Sequence, residues 1–277
     1  MHQHEYTYQL LPIPSGQIGY IAIGEDFLPP MVLIVGYSGN LLHWNKQFVL
    51  ELAKYFRVYL LDNRLVGETR SSNEGSIKGM ADDIAEFIDV MNLQDVKIVG
   101  WSMGGIIAQN LAMNYPDKVT GISLLGSLPD YTFTHGSLHD LVTNLREKPS
   151  KENRDKLIQL FYSEELSIDF RKYLAQNTLR IPGYIYPFNQ DAQALQSSSV
   201  EKYKIEYSLL NKIEQKTLIF TAKNDLVNKP EASHLLHNLI PDSQLISYAN
   251  GGHFFVNYHP INVAEHIINY FGVDNLC

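Results

Sequence analysis

The chain has 277 residues, of which 45% are hydrophobic, which is enough to bury a substantial core in one large domain or two small ones. Its formal net charge of -8 argues against nucleic acid as a partner, because no basic stripe is present to neutralise phosphates. With a single cysteine, Cys277, no disulfide can form within the chain, and we expect a reducing, cytoplasmic setting.

Hydrophobic periodicity predicts strands and helices that alternate along the first half of the chain. In chain order they are an edge hairpin of 5–13 and 17–23, a strand at 31–35, a helix at 42–55, a strand at 57–62, a helix at 76–92, a strand at 95–100, a helix ending at 115 and a strand at 119–126. This alternation predicts an α/β fold with a mostly parallel sheet and helices on both faces.

Between the strand at 95–100 and the following helix lies a Gly-x-Ser-x-Gly pentapeptide, Gly100 to Gly104. The flanking elements favour a sharp strand-to-helix turn that exposes the Ser102 hydroxyl at the carboxyl end of the sheet. The N–H of Met103 would then lie at a helix N-terminus, where negative charge is favoured. Ser102 is therefore the candidate nucleophile, although a serine in an ordinary loop is the alternative interpretation.

A serine nucleophile needs a base, and the base needs an orienting acid. Of the ten histidines, His253 follows the flexible turn Asn250-Gly-Gly252 after a strand-like run, so we interpret it as the base. Two aspartates compete for the acid role. Asp225 follows the apolar strand that begins at 217, and Asp130 also ends a strand-like run.

Residues 131–205 interrupt the strand–helix rhythm, and strand-like sequence resumes only at 217. They predict several short helices, with breakers at Pro149, Pro182-Gly183 and Pro187. We interpret 131–205 as a helical cap inserted between two parts of one core, residues 1–130 and 206–277. The aromatic residues of this cap predict a largely uncharged substrate pocket, which we expect to be formed by Tyr184, Tyr186 and Phe188 of the cap and by Trp101 next to the candidate nucleophile.

Five segments, taken in order, resemble the α/β-hydrolase superfamily, in particular its esterase-like branch with a helical cap. They are the strand and loop at 32–39, the Asp-x-Arg loop at 62–69, the turn at 100–105, the acid strand at 217–225 and the histidine loop at 251–253. The family often has a histidine at position 35 and a glycine at position 65, where this chain has Val35 and Leu65. The match covers most of the chain outside the cap.

The resemblance implies a serine hydrolase that cleaves a small, largely apolar carboxylic ester through an acyl-enzyme intermediate. It favours Asp225 over Asp130, because the family order is Ser, Asp, His. It also implies that the N–H groups of Tyr37 and Met103 form the oxyanion hole. The expected partner is a small-molecule substrate, with no metal and no cofactor.

Other functions fit the same residues. Enol-lactonase, C–C bond hydrolase or cofactor-free perhydrolase chemistry would use the same triad, and a non-catalytic ligand receptor or scaffold could have the same fold. Serine at position 102 argues against dehalogenase and epoxide hydrolase chemistry, which use a carboxylate nucleophile.

The N-terminus predicts no signal peptide, and apolar runs such as 31–35 are far too short to span a membrane. The oligomeric state is left open.

Overall fold

The computed structural model describes residues 6–136, 143, 148, 150–163, 167–184, 186 and 189–272. The strands among them are β1 Gln9–Ile13, β2 Gly16–Ile23, β3 Pro30–Ile34, β4 Arg57–Leu61, β5 Arg70–Ser71, β6 Val96–Trp101, β7 Val119–Leu125, β8 Lys216–Ala222 and β9 Ser243–Tyr248. The helices are α1 Lys46–Leu52, α2 Ile77–Val90, α3 Met103–Asn114, α4 Lys151–Tyr162, α5 Ile168–Gln176, α6 Gln190–Lys202, α7 Glu231–Leu239, α8 Phe255–Tyr258 and α9 Pro260–Phe271.

The strands form one sheet in the order β1-β2-β4-β3-β6-β7-β8-β9, with β5 paired to β2. β3, β4, β6, β7, β8 and β9 run parallel to one another, whereas β2 is antiparallel to β1, β4 and β5. The predicted mostly parallel sheet and its edge hairpin are therefore confirmed. The two-residue strand β5 was not expected from the sequence.

The sheet separates two hydrophobic clusters, and β3 supplies both of them. Val32 and Ile34 pack with residues of α2 and α3, while Met31 and Leu33 pack with residues of α1 and α9. Side chains alternate across a strand, so a fully apolar strand is buried on both faces. The sheet thus has helices on both faces, and its parallel strands are held rigidly at the edge where their carboxyl ends meet.

The predicted helix at 42–55 is shorter than expected. The Asn40 side chain caps a 3₁₀ turn over Leu41–His43, and the Asn45 side chain then accepts hydrogen bonds from the N–H groups of Gln47 and Phe48 at the start of α1. An asparagine at an N-cap satisfies N–H groups that have no partner within the helix. The chain therefore begins a new helix at Lys46 rather than continuing from residue 42.

The segment between β7 and β8 contains α4, α5 and α6, each capped at its N-terminus by the side chain of Ser150, Ser167 or Asn189. The described part of 131–205 contains helices and isolated bridges but no strand of the sheet. This segment follows β7, the seventh strand in the chain. The sequence predicted six strands before it, and the additional strand is β5. No helix in the described ranges is long and apolar enough to cross a membrane.

Candidate active site

Ser102 occupies the turn between β6 and α3, with φ of 56° and ψ of -119°. A non-glycine residue at such a positive φ stores strain of roughly 1–3 kcal/mol, and strain of this kind is often found at functional sites. The helix returns very close to the sheet, since a Cβ on Gly104 would lie 2.1 Å from the Ile34 carbonyl oxygen. The glycine therefore allows the tight turn that presents the Ser102 hydroxyl.

His253 and Asp225 form a buried pair beside this turn. His253 Nδ1 lies 2.8 Å from Asp225 Oδ2, and the two side chains are 4% and 1% exposed. The other carboxylate oxygen of Asp225 accepts hydrogen bonds from the N–H groups of Val227 and Asn228. Because a carboxylate accepts from Nδ1–H, the pairing favours the tautomer in which Nε2 has a lone pair. That nitrogen is the one suited to accept a proton.

Asp130, the competing acid, lies in a different environment. Its carboxylate accepts hydrogen bonds from the Thr132 N–H and from the Tyr207 hydroxyl, both at 2.9 Å. It caps the 3₁₀ turn Tyr131–Phe133, so its role in this structure is a local one. The structure pairs Asp225, not Asp130, with His253.

The two residues expected to form the oxyanion hole flank Ser102. Met103 is the first residue of α3, so its N–H lies at the positive end of the helix dipole. Tyr37 follows Gly36, which packs so closely on the serine that a Cβ there would lie 3.0 Å from the Ser102 Cβ. This arrangement brings the main chain of the loop after β3 beside the serine.

Ser102 and His253 line one cavity of about 220 Å³. Most of the remaining wall is apolar, and Trp101 lies in it as expected from the sequence. The apolar wall is formed by Val35, Trp101, Leu157, Ile158, Phe161, Val227 and Phe254. The lining residues that the structure describes include no lysine or arginine.

The wall residues Leu157 and Ile158 were not anticipated, whereas Phe161 is one of the cap aromatic residues from which the pocket was predicted. Leu157, Ile158 and Phe161 extend from α4, and their spacing of i, i+1 and i+4 places them on one face of a helix that begins with mostly charged residues. That spacing is a signal readable in the sequence. Asn228, by contrast, had no such signal. Its Nδ2 donates to the Gly126 carbonyl at 2.8 Å and lies 3.5 Å from the Ser102 Oγ.

The expectation that Tyr184 and Tyr186 line the cavity at Ser102 is not met. The Tyr184 hydroxyl donates to the Asp62 carboxylate at 2.8 Å, as Tyr8 also does at 3.0 Å, because a buried carboxylate needs donors. Burial raises the pKa of Asp62 to about 6. Tyr186 donates to Glu68 at 3.2 Å, and Phe188 lies outside the described residues.

Tyr186 instead lines a second cavity, of about 760 Å³, with a more polar wall. The polar side chains around it include Asn40, Glu68, Arg70, Asn189, Asp191 and Gln193. Ser38, Gly39 and His43 line both cavities. The loop after β3 therefore separates an apolar space at Ser102 from a polar one.

The end of α4 packs directly on the histidine loop. Gly252 has φ of 57°, and a Cβ there would lie 2.6 Å from Ser163 Oγ and 2.7 Å from the Phe161 carbonyl oxygen. Ser163 Oγ also donates to the Asn224 carbonyl, next to Asp225. The helix that supplies the apolar wall is thus fixed to the turns that carry the acid and the base.

Comparison with known proteins shows the family of the chain. Residues 29–260 match the sequence model of the alpha/beta hydrolase fold family. The chain belongs to the α/β hydrolase family. It is 26% identical over 269 residues to a proline iminopeptidase of Pestalotiopsis fici, covering 88% of this chain and 92% of that protein. It is 23% identical over 269 residues to a pimeloyl-[acyl-carrier protein] methyl ester esterase of Nitrosospira multiformis, covering 90% and 96%.

Solved α/β hydrolase structures share the same architecture. An alpha/beta hydrolase fold protein from Chitinophaga pinensis superposes with a TM-score of 0.83 at 20% identity, covering 98% of both chains. At this identity the likeness shows the fold alone. The named relatives act as hydrolases on different bonds, so the substrate has to be argued from the site.

Proposed function

We propose that this protein is a serine hydrolase that cleaves small, largely apolar carboxylic esters through an acyl-enzyme intermediate. The observation that carries the proposal is the meeting of three groups at one apolar cavity. They are the strained Ser102, the His253–Asp225 pair and the loop that begins at Gly36. Esterase-named relatives of nearly full length support the same reaction class.

In the proposed mechanism, His253 Nε2 accepts the Ser102 proton as Oγ attacks the ester carbonyl carbon. The N–H groups of Tyr37 and Met103 stabilise the negative oxygen of the tetrahedral intermediate. His253 then protonates the departing alcohol and later activates water to release the acid. Asp225 holds the imidazole in the required tautomer and stabilises its cation.

The wall formed by Trp101, Leu157, Ile158, Phe161 and Phe254 supports an apolar group on one side of the ester. An apolar group gains about 0.8 kcal/mol for each methylene that it buries. A carboxylate would lose its hydration there without meeting a lysine or arginine among the described lining residues. We propose that α4, α5 and α6 act as the cap that shields this cavity from water.

The test combines labelling with turnover. A fluorophosphonate probe should label the chain once, at Ser102, and a panel of esters, thioesters and lactones should define the preferred bond. Ser102→Ala should abolish labelling and lower kcat on the order of 10⁴- to 10⁶-fold. Ser123→Ala is the matched control, because Ser123 is also buried and its Oγ has no partner among the described residues.

Three results would contradict all or part of the proposal. Labelling that survives Ser102→Ala unchanged would show that another residue is the nucleophile. Tight binding of esters with no turnover by the wild-type chain would instead indicate a receptor or scaffold. Faster turnover of lactones than of open-chain esters would retain the nucleophile but change the substrate class.

A further inference from the structure

The loop after β3 contains a strained four-residue turn, Gly36 to Gly39. The Gly39 N–H donates to the Gly36 carbonyl at 3.2 Å, and Ser38, the third residue, has φ of 57°. Tyr37, the second residue, does not have a positive φ. A negative φ at the second position and a positive φ at the third is the pattern of a type II turn, where glycine is the usual third residue. Serine rarely adopts a positive φ, so contacts from the surrounding structure must stabilise Ser38 in this conformation.

Gln196 of α6 holds this turn from the inserted helices. Its Oε1 accepts the Ser38 N–H at 2.8 Å, across 158 positions of sequence, and its side chain is fully buried. The Ser38 N–H belongs to the central peptide of the turn. Type I and type II turns differ by a flip of that peptide, which reverses the direction of its N–H. The bond to Gln196 therefore selects the type II orientation.

The second polar atom of Gln196 supports a specific role. Its Nε2 is buried and has no hydrogen-bond partner among the described residues. A buried donor without a partner is unfavourable, and an apolar side chain would fill the same space without that cost. The amide is thus suited to supply an acceptor to Ser38 rather than simply to fill the space.

The same turn carries the N–H proposed to bind the oxyanion. In a trans peptide the C=O and N–H point in opposite directions, so the bond from Gly39 to the Gly36 carbonyl fixes the direction of the Tyr37 N–H. A flip of the following peptide would rotate ψ of Tyr37 by about 150° and reverse a dipole beside that N–H. Oxyanion stabilisation depends on such dipoles being fixed before the reaction.

We propose that Gln196 is a positioning residue for hydrolysis. Its bond to the Ser38 N–H fixes the orientation of the Tyr37–Ser38 peptide and thereby keeps the oxyanion-binding N–H in place. We call this restraint the lock. This inference rests on the proposed function. It assigns to α6 a part in transition-state stabilisation, in addition to covering the site. The lock acts through the main chain and makes no contact with substrate.

Gln196→Met tests the lock, because methionine has a similar length and lacks the acceptor. We expect kcat to fall about 10- to 100-fold with KM little changed, since a small misplacement of a stabilising group has a large effect. The affinity for an alkyl boronic acid, which forms a tetrahedral adduct on Ser102, should fall in parallel. Adding Ser38→Gly should restore kcat to within about threefold of wild type, because glycine adopts a positive φ without strain.

Ser199→Ala is the matched control on the same helix. Ser199 Oγ lies 3.0 Å from the Gly75 carbonyl oxygen and 2.7 Å from the Leu195 carbonyl oxygen of its own helix, and the first contact joins α6 to a different part of the core. We expect this variant to retain wild-type kcat. An equal loss of kcat in Ser199→Ala and Gln196→Met would show that helix docking alone matters, and would overturn the lock. Wild-type kcat in Gln196→Met, or no rescue by Ser38→Gly, would overturn it as well.

If Gln196→Met does not fold, Gln196→Glu decides the matter. It keeps an acceptor for Ser38, so kcat should stay near wild type while the new carboxyl is protonated. The rate should fall as the carboxyl ionises, because a negative charge beside the turn opposes the oxyanion. A pH profile identical to wild type would overturn the lock. A wild-type chain inactive on every ester would overturn the proposed function together with this inference, whereas an active wild type unaffected by these changes overturns the inference alone.

Discussion

The indole Nε1 of Trp101 donates a hydrogen bond to the main-chain carbonyl of His253, over 3.2 Å. Trp101 is the last residue of β6 and directly precedes Ser102, so the bond joins the strand of the candidate nucleophile to the loop of the candidate base. The rings of Trp101 and Phe254 also meet edge to face at 4.5 Å. The position of the imidazole is therefore set partly from the serine side of the site.

Trp101→Phe should weaken catalysis by loosening the histidine loop. We expect kcat/KM to fall about 2- to 10-fold, the effect of losing one ordinary hydrogen bond. Steady-state kinetics on a neutral ester would measure it. Trp44→Phe is the control. Trp44 is also buried, its ring centroid lies 5.8 Å from that of Trp101, and its Nε1 has no partner in the described part of the chain. Equal losses in the two variants would contradict a role for the bond.

Asp225→Asn should lower kcat by roughly 10⁴-fold with the fold retained, because an amide at this position favours the wrong imidazole tautomer. The measurement is kcat beside a circular dichroism spectrum. Asp130→Asn provides the comparison, since Asp130 caps a turn and bonds Tyr207. It should affect stability by roughly 1 kcal/mol and leave kcat close to wild type. If Asp130→Asn abolished activity while Asp225→Asn was mild, the acid assignment would be reversed.

Asp62 should make the protein less stable as the pH rises from about 4 to about 6. Burial raises its pKa from 3.8 to about 6 in the folded state, so the folded chain binds this proton more tightly than the unfolded chain. The free energy of unfolding then falls across that window, by up to about 3 kcal/mol, and is level above it.

Urea unfolding of wild type and Asp62→Asn between pH 4 and 7 would measure this effect. The asparagine cannot ionise, so its stability relative to wild type should increase across the window. Asp26→Asn, at a carboxylate that is 91% exposed, controls for the loss of a surface charge. Parallel profiles for wild type and Asp62→Asn would show that Asp62 does not govern the pH dependence.

The apolar cavity should select neutral acyl or alcohol groups by size. We expect kcat/KM to rise roughly fourfold per methylene until the space is filled, and carboxylated esters to react more slowly than their neutral counterparts. Ile158→Lys should narrow that difference by placing a cation in the wall. Ile168→Lys is its control, because Ile168 is 73% exposed and does not line the cavity. A wild-type preference for carboxylated esters would contradict this account.

The elements that local pattern determines were predictable. The apolar run of β3 requires burial on both faces, and the tight turn at Ser102 leaves no room for a Cβ at Gly100 or Gly104. The boundary of α1 was not predictable from periodicity, because the side chain of Asn45 begins the helix, and hydrophobic spacing carries no information on that cap. Leu65 adopts φ of 63°, a left-handed conformation that glycine takes without strain.

The assignment of aromatic residues to the substrate pocket could not be made from composition. Tyr184 lies 122 positions from Asp62, and only the folded chain shows that the buried carboxylate binds its hydroxyl. The phenol is satisfied there and is unavailable to line the cavity. The spacing of Leu157 and Phe161 at i and i+4 was the more direct signal in the sequence for the cavity wall.

The close approach of α4 to Gly252 restricts how this protein can be re-engineered. Any larger residue at 252 would meet the backbone of Phe161 and Tyr162, and a left-handed φ adds a second penalty. If the segment between β7 and β8 were replaced by that of a relative, the histidine loop would therefore have to be replaced with it. Under the proposed function, a recombination point at either end of the inserted segment would therefore separate the helix that sets the substrate range from the histidine loop on which it packs.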